Sequence, residues 1–355
     1  TKDIFGKESL AWQKIESLAR KTAYSFHLSE IRTPAFEYTD VFKRAIGQET
    51  DIVSKEMFEF SDRGGRNLSL RPEGTAGVVR ALIENSLYRT EIPRFFYIGP
   101  MFRAERPQKG RQRQFHQIGI EIFDEPSAYA DLDVILFNLE LLASLGLNDF
   151  VLKLNSVGCP NCRPSYLQKL KTFLEPHLPE LCPNCQTRFQ SNPLRVLDCK
   201  EEKCRNITKS APSILDALCD ECAGHFNLLK KMLANLQVPF ELDTSIVRGL
   251  DYYTKTVFEI QLSGLGAQNA VCGGGRYDGL VSFFDPKVSL PAVGSAIGFE
   301  RLFLALESAG ILPQEDDSLD FYLIVDPKFD KTEILPVLRE IRKSGFSARM
   351  DESSK

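Results

Sequence analysis

Several features that would mark other classes of protein are missing from this sequence. No apolar stretch reaches the ~18 to 20 uninterrupted residues that a membrane-spanning helix needs. Even VILFNLELLASLGL is broken by Asn138 and Glu140. The opening segment, TKDIFGKESL, lacks the apolar core of an export signal. We therefore predict a chain that neither crosses nor coats a membrane and that works in the cytoplasm.

An overall positive charge is also missing, which excludes attraction of nucleic acid by the field of the whole protein. The formal net charge is −4. One local exception runs from Arg94 to Arg113, where Glu105 is the only acidic residue. The basic residues there are Arg94, Arg103, Arg106, Lys109, Arg111 and Arg113. Charge alone favours a solvated loop, so a role in binding phosphate depends on the motifs around it.

The common phosphate-binding loops are absent as well. No GxxxxGK[ST] motif occurs, and no GxGxxG stands between a predicted strand and a predicted helix. If the protein binds ATP, arginines must hold the phosphates. Guanidinium groups suit that task because they stay charged and offer forked donors to phosphate oxygens.

The chain has 355 residues, of which 43% are hydrophobic and 26% are charged. These values predict a globular protein of two or three domains with a sizeable core. The sequence begins with Thr1 rather than Met and ends on the polar segment DESSK. We therefore expect that one or both ends of the native chain are missing.

Apolar periodicity predicts both helices and strands. The predicted helices cover residues 7–26, 131–146, 224–236 and 330–344. LSLRPEGTAGVVRALIEN predicts a strand, a turn and a helix, with Glu73 and Thr75 at the junction where polar groups often meet ligands. RFFYIGPMFR and QFHQIGIEIF predict an antiparallel pair joined by the basic loop, and CGGGRYDG predicts a glycine-rich turn.

The second strand of that pair has one polar face. Alternation places Gln117, Gly119 and Glu121 on one side and three isoleucines on the other. In the partner strand, Tyr97 and Arg103 share a face, so an arginine can lie across from these polar residues. A half-exposed sheet with its polar side in water is the simpler alternative, and the pattern alone favours it.

Cysteines are concentrated in one region. Eight of the nine lie in four close pairs, which are Cys159/Cys162, Cys182/Cys185, Cys199/Cys204 and Cys219/Cys222. The first two pairs, C-x2-C twice with nineteen residues between them, fit a structural zinc template. An interleaved pairing, a contribution from His225 and unliganded thiols are alternatives, whereas disulfides are disfavoured in a cytosolic protein. We predict at least one zinc site.

Five ordered segments resemble one family. FRAERPQKGRQRQ resembles motif 2 of class II aminoacyl-tRNA synthetases, and GSAIGFERL resembles their motif 3. IVRGLDYYTKTVFEI resembles the block peculiar to histidyl-tRNA synthetases, and LRPEGTAGVVRA and AVCGGGRYDGL also match that family. The resemblance extends from residue 1 to about residue 320, and the later FYLIVDP resembles the start of the family's anticodon-binding domain.

The resemblance implies an α+β fold with a class II synthetase-like, six-stranded antiparallel sheet flanked by helices. It also implies a homodimer formed near IRTPAFE. The implied plan is a catalytic core in two parts (1–154 and 236–318), a cysteine-rich insertion (155–235) and the beginning of an α/β anticodon-binding domain (320–355). The family does not require the insertion, for which we expect a structural role near the acceptor end of tRNA.

The activity implied is ATP- and Mg²⁺-dependent activation of histidine to histidyl-adenylate, followed by transfer to the 3′ end of tRNA(His). The implied ATP-binding residues are Arg103 at the α-phosphate, Arg111 and Arg113 near the pyrophosphate, and Arg301 against adenine. The implied histidine-binding residues are Glu73, Thr75, Gln117, Glu121, Arg248, Tyr252 and Tyr253. Arg248 and Arg103 would be catalytic, and Arg106 and Gln108 would meet the tRNA acceptor end.

A protein of another class shares this resemblance. The regulatory subunit of ATP phosphoribosyltransferase is synthetase-like, binds histidine and is not catalytic. Such a sensor has no need of Arg103, Arg301 and an intact RGLDYY block together. Their coincidence favours the enzyme. Nucleotidyl transfer mostly requires positioning and charge stabilisation, so the absence of a nucleophilic triad is no objection.

Overall fold

The computed structural model describes residues 1–47, 50, 52–89, 93–106, 110–247, 252–262, 269–314 and 318–351. Its strands are β1 Ser29–Glu30, β2 Phe36–Tyr38, β3 Glu59–Ser61, β4 Asn67–Leu70, β5 Arg94–Phe102, β6 Gln114–Phe123, β7 Phe150–Ser156, β8 Glu241–Leu242, β9 Thr254–Leu262, β10 Ala270–Arg276, β11 Ala292–Gly298, β12 Phe321–Leu323 and β13 Ala348–Met350. Its α-helices are α1 Gly6–Ser25, α2 Thr39–Ile46, α3 Thr75–Glu84, α4 Ala128–Ser144, α5 Arg163–Leu174, α6 Pro183–Ser191, α7 Leu194–Leu197, α8 Glu202–Thr208, α9 Asp220–Asn235, α10 Leu280–Phe284, α11 Phe299–Ala309 and α12 Leu335–Lys343.

An eight-stranded sheet in the order β1-β5-β6-β11-β10-β9-β7-β8 forms the centre of the larger unit. Its six long strands, from β5 across to β7, pair antiparallel. The short edge strands β1 and β8 pair parallel to their neighbours. Helices α4 and α11 pack against β6 and β11. The expected α+β class, with a six-stranded antiparallel sheet flanked by helices, is confirmed.

Helix α4 contains most of the longest apolar run of the sequence. One side packs against β6, β10 and β11, and the helix also packs against α9. Burial on several sides explains why this helix is apolar around most of its circumference. Within the described ranges, no helix is long and apolar enough to cross a membrane.

Strands β5 and β6 form the antiparallel pair that the sequence predicts. Tyr97 lies opposite Gly119, and Gly99 lies opposite Gln117. The three isoleucines of β6 are each 1% exposed. Their burial fixes the register of the strand, since a shift of one residue would turn all three away from the core. The polar face of β6 is thereby directed to the other side of the sheet.

One predicted element is wrong: CGGGR lies in the central strand β10 rather than in a turn. Glycines usually weaken strands, but here neighbouring groups leave no room for side chains. A Cβ atom on Gly274 would lie 2.5 Å from the carbonyl oxygen of Gly294 and 2.7 Å from the Phe258 ring. The glycines of CGGGR are therefore explained by close packing between adjacent strands, although their local sequence is typical of a turn.

Residues 155–235 fold mainly as helices α5 to α9. Many of their apolar side chains form a core of their own, which includes Tyr166, Leu170, Leu174 and four of the cysteines. A separate three-stranded sheet, in the order β2-β4-β3, precedes α3 in the chain. These parts are the cysteine-rich insertion and the segment around IRTPAFE that the sequence singles out.

The chain divides into two compact units, one of residues 1–3 and 15–312 and the other of residues 4–14 and 313–355. The first contains the large sheet together with the cysteine-rich helices. The second contains the parallel pair β12–β13 and helix α12. The finer domain boundaries suggested by the sequence, at residues 154, 235 and 318, stay predictions.

Candidate active site

A cleft of about 250 Å³ opens on the polar face of the large sheet. Its walls come from β5, β6, β9, β10 and β11, from residues between β5 and β6, from the starts of α3 and α11, and from the segment before β9. The predicted site residues that line it are Glu73, Thr75, Arg103, Arg111, Gln117, Tyr252, Tyr253 and Arg301. Residues distant in the sequence therefore meet in one cavity.

Glu121 lies directly behind this wall, 1% exposed. The Thr75 hydroxyl donates a hydrogen bond to one carboxylate oxygen at 2.7 Å, and the Tyr97 hydroxyl donates to the same oxygen at 3.4 Å. Tyr277 donates to the other oxygen. Burial raises the pKa of Glu121 to about 8, although these hydrogen bonds favour its charged form. This end of the cleft is thus a buried carboxyl group surrounded by hydroxyls.

The Tyr97 ring lies over Gly119, its partner on β6. A Cβ atom at Gly119 would overlap that ring. The Tyr97 side chain is 5% exposed, and its burial among acidic groups raises the pKa of the phenol well above its usual value. Tyr97 therefore remains a neutral hydrogen-bonding group at physiological pH.

The start of α3 presents two of the predicted residues. Glu73 accepts hydrogen bonds from the backbone N–H groups of Thr75 and Ala76, both at 2.8 Å. A carboxylate at this position satisfies donors that the first turn of a helix leaves unpaired. Burial raises the pKa of Glu73, while these two bonds oppose the rise. The Pro-Glu-Gly turn thus places both Glu73 and Thr75 at the cleft.

Gln117 carries an unsatisfied group. Its side-chain Oε1 atom is buried and has no hydrogen-bond partner among the described residues. Buried polar atoms in native proteins are nearly always paired, so an orphan beside a cavity marks a place for a ligand donor. Gln117 therefore supplies an acceptor inside the cleft.

Arginines gather at the other end of β6. Arg103 donates to the carbonyl of Pro72 at 2.9 Å and lies over the Phe115 ring at 5.1 Å. Arg301 donates to the carbonyl of Ala270 at 2.8 Å, and burial lowers its pKa. Glu105 forms an ion pair with Arg111 at 3.0 Å. These contacts fix guanidinium groups at the cleft before any ligand enters.

The sheet register separates the two ends. On β11, Gly294 pairs with Glu121 and Gly298 pairs with Gln117. Arg301 follows three residues after Gly298, in the first turn of α11. Four strand residues correspond to roughly 13 Å. The cleft therefore places a carboxyl and tyrosine group at one end and an arginine group at the other.

Several predicted residues are not in the cleft wall. Arg106 and Arg113 are exposed and do not line the cavity. Arg248 and Gln108 lie outside the described residues. His116, for which the sequence suggests a structural role, has its Nδ1 atom 3.0 Å from a carboxylate oxygen of Glu300, which also accepts a hydrogen bond from the His116 backbone N–H.

Sequence reasoning missed Tyr277, Glu105 and Glu259, which also line the cleft. Tyr277 belongs to CGGGRYDG, a segment of the family resemblance whose local pattern predicts a turn. The sequence pattern places Tyr97 on the same face as Arg103 but gives it no role. The signal for Tyr97 was its position opposite a glycine of the polar strand.

The cysteines form two groups of four, and their pairing differs from the one that the spacing favours. Cys159, Cys162, Cys219 and Cys222 form the outer tetrad, and Cys182, Cys185, Cys199 and Cys204 form the inner tetrad. The grouping of Cys159/Cys162 with Cys182/Cys185 is therefore wrong. Helix α5 separates these two pairs along the chain, whereas Cys219 and Cys222, at the start of α9, lie beside the first pair. His225 joins neither tetrad; its Nε2 atom lies 3.2 Å from Asp131.

Similar proteins match the part of the chain that contains the cleft. A sequence profile described as Histidyl-tRNA synthetase matches residues 4–161 and 195–302. A histidine–tRNA ligase of Halothermothrix orenii is 49% identical over 352 residues, covering 99% of this chain and 84% of the relative. The matched residues include every wall of the cleft.

Solved structures extend the comparison to the fold. The crystal structure of apo S. aureus histidyl-tRNA synthetase superimposes with a TM-score of 0.82 at 34% identity, covering 100% of this chain and 84% of that one. A Bacillus halodurans protein named ATP phosphoribosyltransferase regulatory subunit/histidyl-tRNA synthetase gives 0.70 at 20% identity, covering 100% and 93%. The latter likeness concerns the fold alone. The sequence blocks, the cleft and these relatives together show that the chain belongs to the histidyl-tRNA synthetase family.

Proposed function

We propose that the cleft binds histidine and ATP side by side, joins them as histidyl-adenylate with release of pyrophosphate, and passes the histidyl group to the 3′ end of tRNA(His). The observation that carries this proposal is the division of one cleft into a carboxyl and tyrosine end and an arginine end. Such a division suits an amino acid with a polar ring at one end and a polyphosphate at the other.

The histidine end is proposed to be selective for both ring nitrogens. Glu121 and Tyr253 would hold the imidazole, while Glu73, Thr75 and Gln117 would hold the ammonium group. The unpaired Oε1 of Gln117 supports this assignment, because an ammonium group carries only donors. An amino acid lacking either ring nitrogen would leave a buried polar group unpaired.

The arginine end is proposed to bind ATP. Arg103 would contact the α-phosphate and Arg301 would pack on adenine. Arg111 would lie near the pyrophosphate, and the exposed Arg113 would approach it only once ATP is present. Arg248, outside the described residues, remains our candidate for stabilising the charge that develops when the histidine carboxylate attacks the α-phosphorus.

The reaction also needs a divalent cation to accompany ATP. Glu105 and Glu259, which line the same cleft, offer carboxylate oxygens of the kind that Mg²⁺ prefers. Mg²⁺ would neutralise phosphate charge there. Structural zinc in the cysteine-rich helices completes the proposed set of cofactors.

The regulatory-subunit alternative is disfavoured. Relatives named histidine–tRNA ligase match 99% of this chain at 44% to 49% identity. The likeness to the Bacillus halodurans protein is much weaker, at 20% identity. The arginines of the cleft add a physical argument, since a histidine sensor has no adenylate to form.

The remaining partners are proposed from the family and the surface. Arg106 and Gln108 would meet the tRNA acceptor end, and the cytoplasm, where tRNA is charged for translation, is the expected location. A homodimer would form through the small sheet, where Phe36, Tyr38 and Phe60 are 54%, 54% and 43% exposed. Exposed aromatic residues of this kind are typical of protein interfaces.

Exchange of labelled pyrophosphate into ATP tests the activity directly. We expect exchange that depends on histidine and that is absent with other amino acids. Equilibrium binding of histidine should be measured on the same preparation. A protein that binds histidine but catalyses no exchange would be a sensor, and the enzyme proposal would be rejected.

A further inference from the structure

The two cysteine tetrads have the dimensions of single-ion sites. In each, the four sulfur atoms lie within 4.8 Å of one another. Within the tetrads, the sulfur–sulfur distance is 3.6 Å for Cys159–Cys162, 3.8 Å for Cys159–Cys219 and 3.9 Å for Cys182–Cys199. Four sulfurs at about 2.3 Å from a central zinc ion form a tetrahedron with edges of about 3.8 Å. The sulfurs are also too far apart for disulfides.

Backbone groups in both tetrads favour thiolates. The N–H of Cys219 donates to the Cys162 sulfur at 3.1 Å, and the N–H of Cys182 donates to the Cys204 sulfur at 3.2 Å. Cys182 and Cys219 are also the residues that precede α6 and α9. Such positions lie at the positive ends of helices, which stabilise negative sulfur. The same arrangement therefore occurs twice.

We infer that the chain has two separate tetrathiolate zinc sites, the outer and inner tetrads, and that the outer site fixes the segment carrying Tyr253 at the cleft. This inference deepens the zinc binding proposed above, and its second half rests on the proposed function. Tetrahedral sulfur sites suit zinc, or iron in place of zinc. A cluster of several irons would hold the sulfurs farther apart than these distances allow.

The outer tetrad is connected to the cleft by several contacts. Arg163, next to Cys162, donates to the carbonyls of Tyr253 and, at 3.1 Å, of Val157. Lys255 forms an ion pair with Glu221 at 2.9 Å and another with Asp278 at 3.2 Å. In the sequence, Glu221 lies between Cys219 and Cys222, two cysteines of the outer tetrad.

Backbone bonds reinforce this connection. The N–H of Lys255 donates to the carbonyl of Gly158 at 2.9 Å, one residue before Cys159. A metal ion at the outer tetrad would hold Cys162 and Cys222 together. Arg163 directly follows Cys162 and Glu221 directly precedes Cys222, so both would be fixed as well. The segment from Tyr253 to Lys255 would then be held from both ends of the insertion.

The inner tetrad has different surroundings. Its four cysteines belong to the apolar core formed by α5 to α8, with Tyr166, Leu170 and Leu174 among its members. We expect an ion there to stabilise these helices and to have little direct effect on the cleft. Loss of the two ions should therefore have different consequences.

Zinc analysis of paired variants tests the two sites and their pairing. Protein produced with ample zinc should hold two ions per chain. Cys159→Ser with Cys219→Ser damages one tetrad in the structure and should leave one ion, whereas Cys159→Ser with Cys182→Ser damages both and should leave none. If the first two cysteine pairs formed one site and the last two pairs formed the other, these two results would be exchanged. Cys272→Ser, outside both tetrads, should keep two ions.

Unfolding of a variant would reduce its metal content for another reason, so the unmodified protein supplies a second measurement. Titration of the metal-free protein with Co²⁺ should produce thiolate-to-metal absorption that saturates at two equivalents. Absence of zinc in the unmodified protein, saturation at one equivalent, or the exchanged pattern would each overturn the two-site inference. Bound iron in clusters would do so as well.

Histidine kinetics test the connection between the outer site and the cleft. Cys159→Ser with Cys219→Ser should raise KM for histidine about tenfold. Loss of residues that only orient a binding group commonly has an effect of this size. Cys182→Ser with Cys199→Ser should change it less than about twofold. Arg163→Met should raise KM for histidine while both zinc ions stay bound, and Arg163→Lys should restore part of it. Equal KM values for histidine in the outer-tetrad and inner-tetrad variants would refute the connection between the outer site and the cleft. The zinc content of each variant is measured without any activity, so the two-site inference can stand or fall separately from the proposed function.

Discussion

Glu121 is a carboxyl group that the fold removes from water and surrounds with hydroxyl groups. Thr75, Tyr97 and Tyr277 donate hydrogen bonds to it, and the nearby charge of Glu73 opposes its ionisation. With a pKa of about 8, the group is mostly protonated at pH 7 in the unliganded protein. An imidazole N–H that donates to Glu121 would favour the ionised form. Histidine binding should therefore release a proton.

This linkage predicts that histidine binds more tightly as the pH rises. Below pH 8 part of the binding energy is used to ionise Glu121, and above pH 8 the group is already charged. Between pH 7 and pH 8 the dissociation constant should fall about fivefold because of Glu121 alone. Calorimetry in buffers of different ionisation enthalpy measures both the affinity and the released protons.

Glu121→Gln is the matched control for that measurement. The amide has nearly the same shape but cannot ionise, so the remaining pH dependence belongs to histidine and to other groups. KM for histidine should rise on the order of 10- to 100-fold, as expected for the loss of a charge-assisted hydrogen bond of about 1.5 to 3 kcal/mol. KM for ATP should change much less. Identical pH profiles for the two proteins would show that Glu121 does not change its charge on binding.

At the residue scale, the sequence predicted the polar face of β6 but not all of the residues that surround the cleft. Alternation along β6 was enough to place Gln117 and Glu121 on one polar face. It did not predict that Glu121 lies behind the wall, where Tyr277, the residue that directly follows β10, donates a hydrogen bond to it. Contacts between strands far apart in the sequence leave no local pattern.

At the element scale, a buried charged group joins β10 to two helices. Arg276 is fully buried and pairs with Asp131 of α4, and His225 of α9 lies 3.2 Å from the same carboxylate. Arg276 also donates to the carbonyls of Glu125 and Ser127, both at 2.9 Å. Burial opposes ionisation of Asp131, but the hydrogen bond with His225 and the charge of Arg276 hold the pKa of this carboxyl below its usual value. These contacts hold α4 and α9 against the sheet.

Arg276→Met should lower the free energy of unfolding by about 3 to 5 kcal/mol, because it leaves the Asp131 carboxylate buried without its guanidinium partner. Urea unfolding followed by circular dichroism measures the change. Lys200→Ala, which removes an exposed ion pair with Asp198, should leave the transition within error of the unmodified protein. Adding Asp131→Asn to Arg276→Met should recover part of the loss. An unchanged transition in Arg276→Met would contradict the proposed role of this pair.

Helices and strands with a strong apolar periodicity were predicted correctly. A strand whose residues are determined by close packing against its neighbours was not. Helices α1 and α4 and strands β5 and β6 lie close to their predicted bounds. Strand β10 was missed because its glycines are required by the adjacent strands, as the space around Gly274 shows. The cysteine pairing failed for a related reason. Spacing favours neighbouring pairs, whereas the helical path brings the first and last pairs together.

At the scale of the whole molecule, three exposed arginines, Arg106, Arg111 and Arg113, lie in the chain between β5 and β6. Glu105 pairs with Arg103 and Arg111, so these two arginines belong to the cleft and are partly neutralised. Arg106 is exposed on the same connection and does not line the cavity. With a net charge of −4, the protein needs such local groups to attract RNA. Arg106 is therefore our candidate for a tRNA contact that is separate from adenylate formation.

Arg106→Ala should slow transfer of histidine to tRNA while leaving adenylate formation nearly unchanged. A lost phosphate contact should raise KM for tRNA and reduce the slope of log KM against log salt concentration by about 1, since one fewer counterion is released on binding. Single-turnover measurements of adenylate formation and of transfer separate the two steps. Lys287→Ala, which removes an exposed positive charge from the segment after α10, is the matched control and should change neither step. If Arg106→Ala slows both steps equally, Arg106 acts on ATP, and the connection between β5 and β6 serves the nucleotide alone.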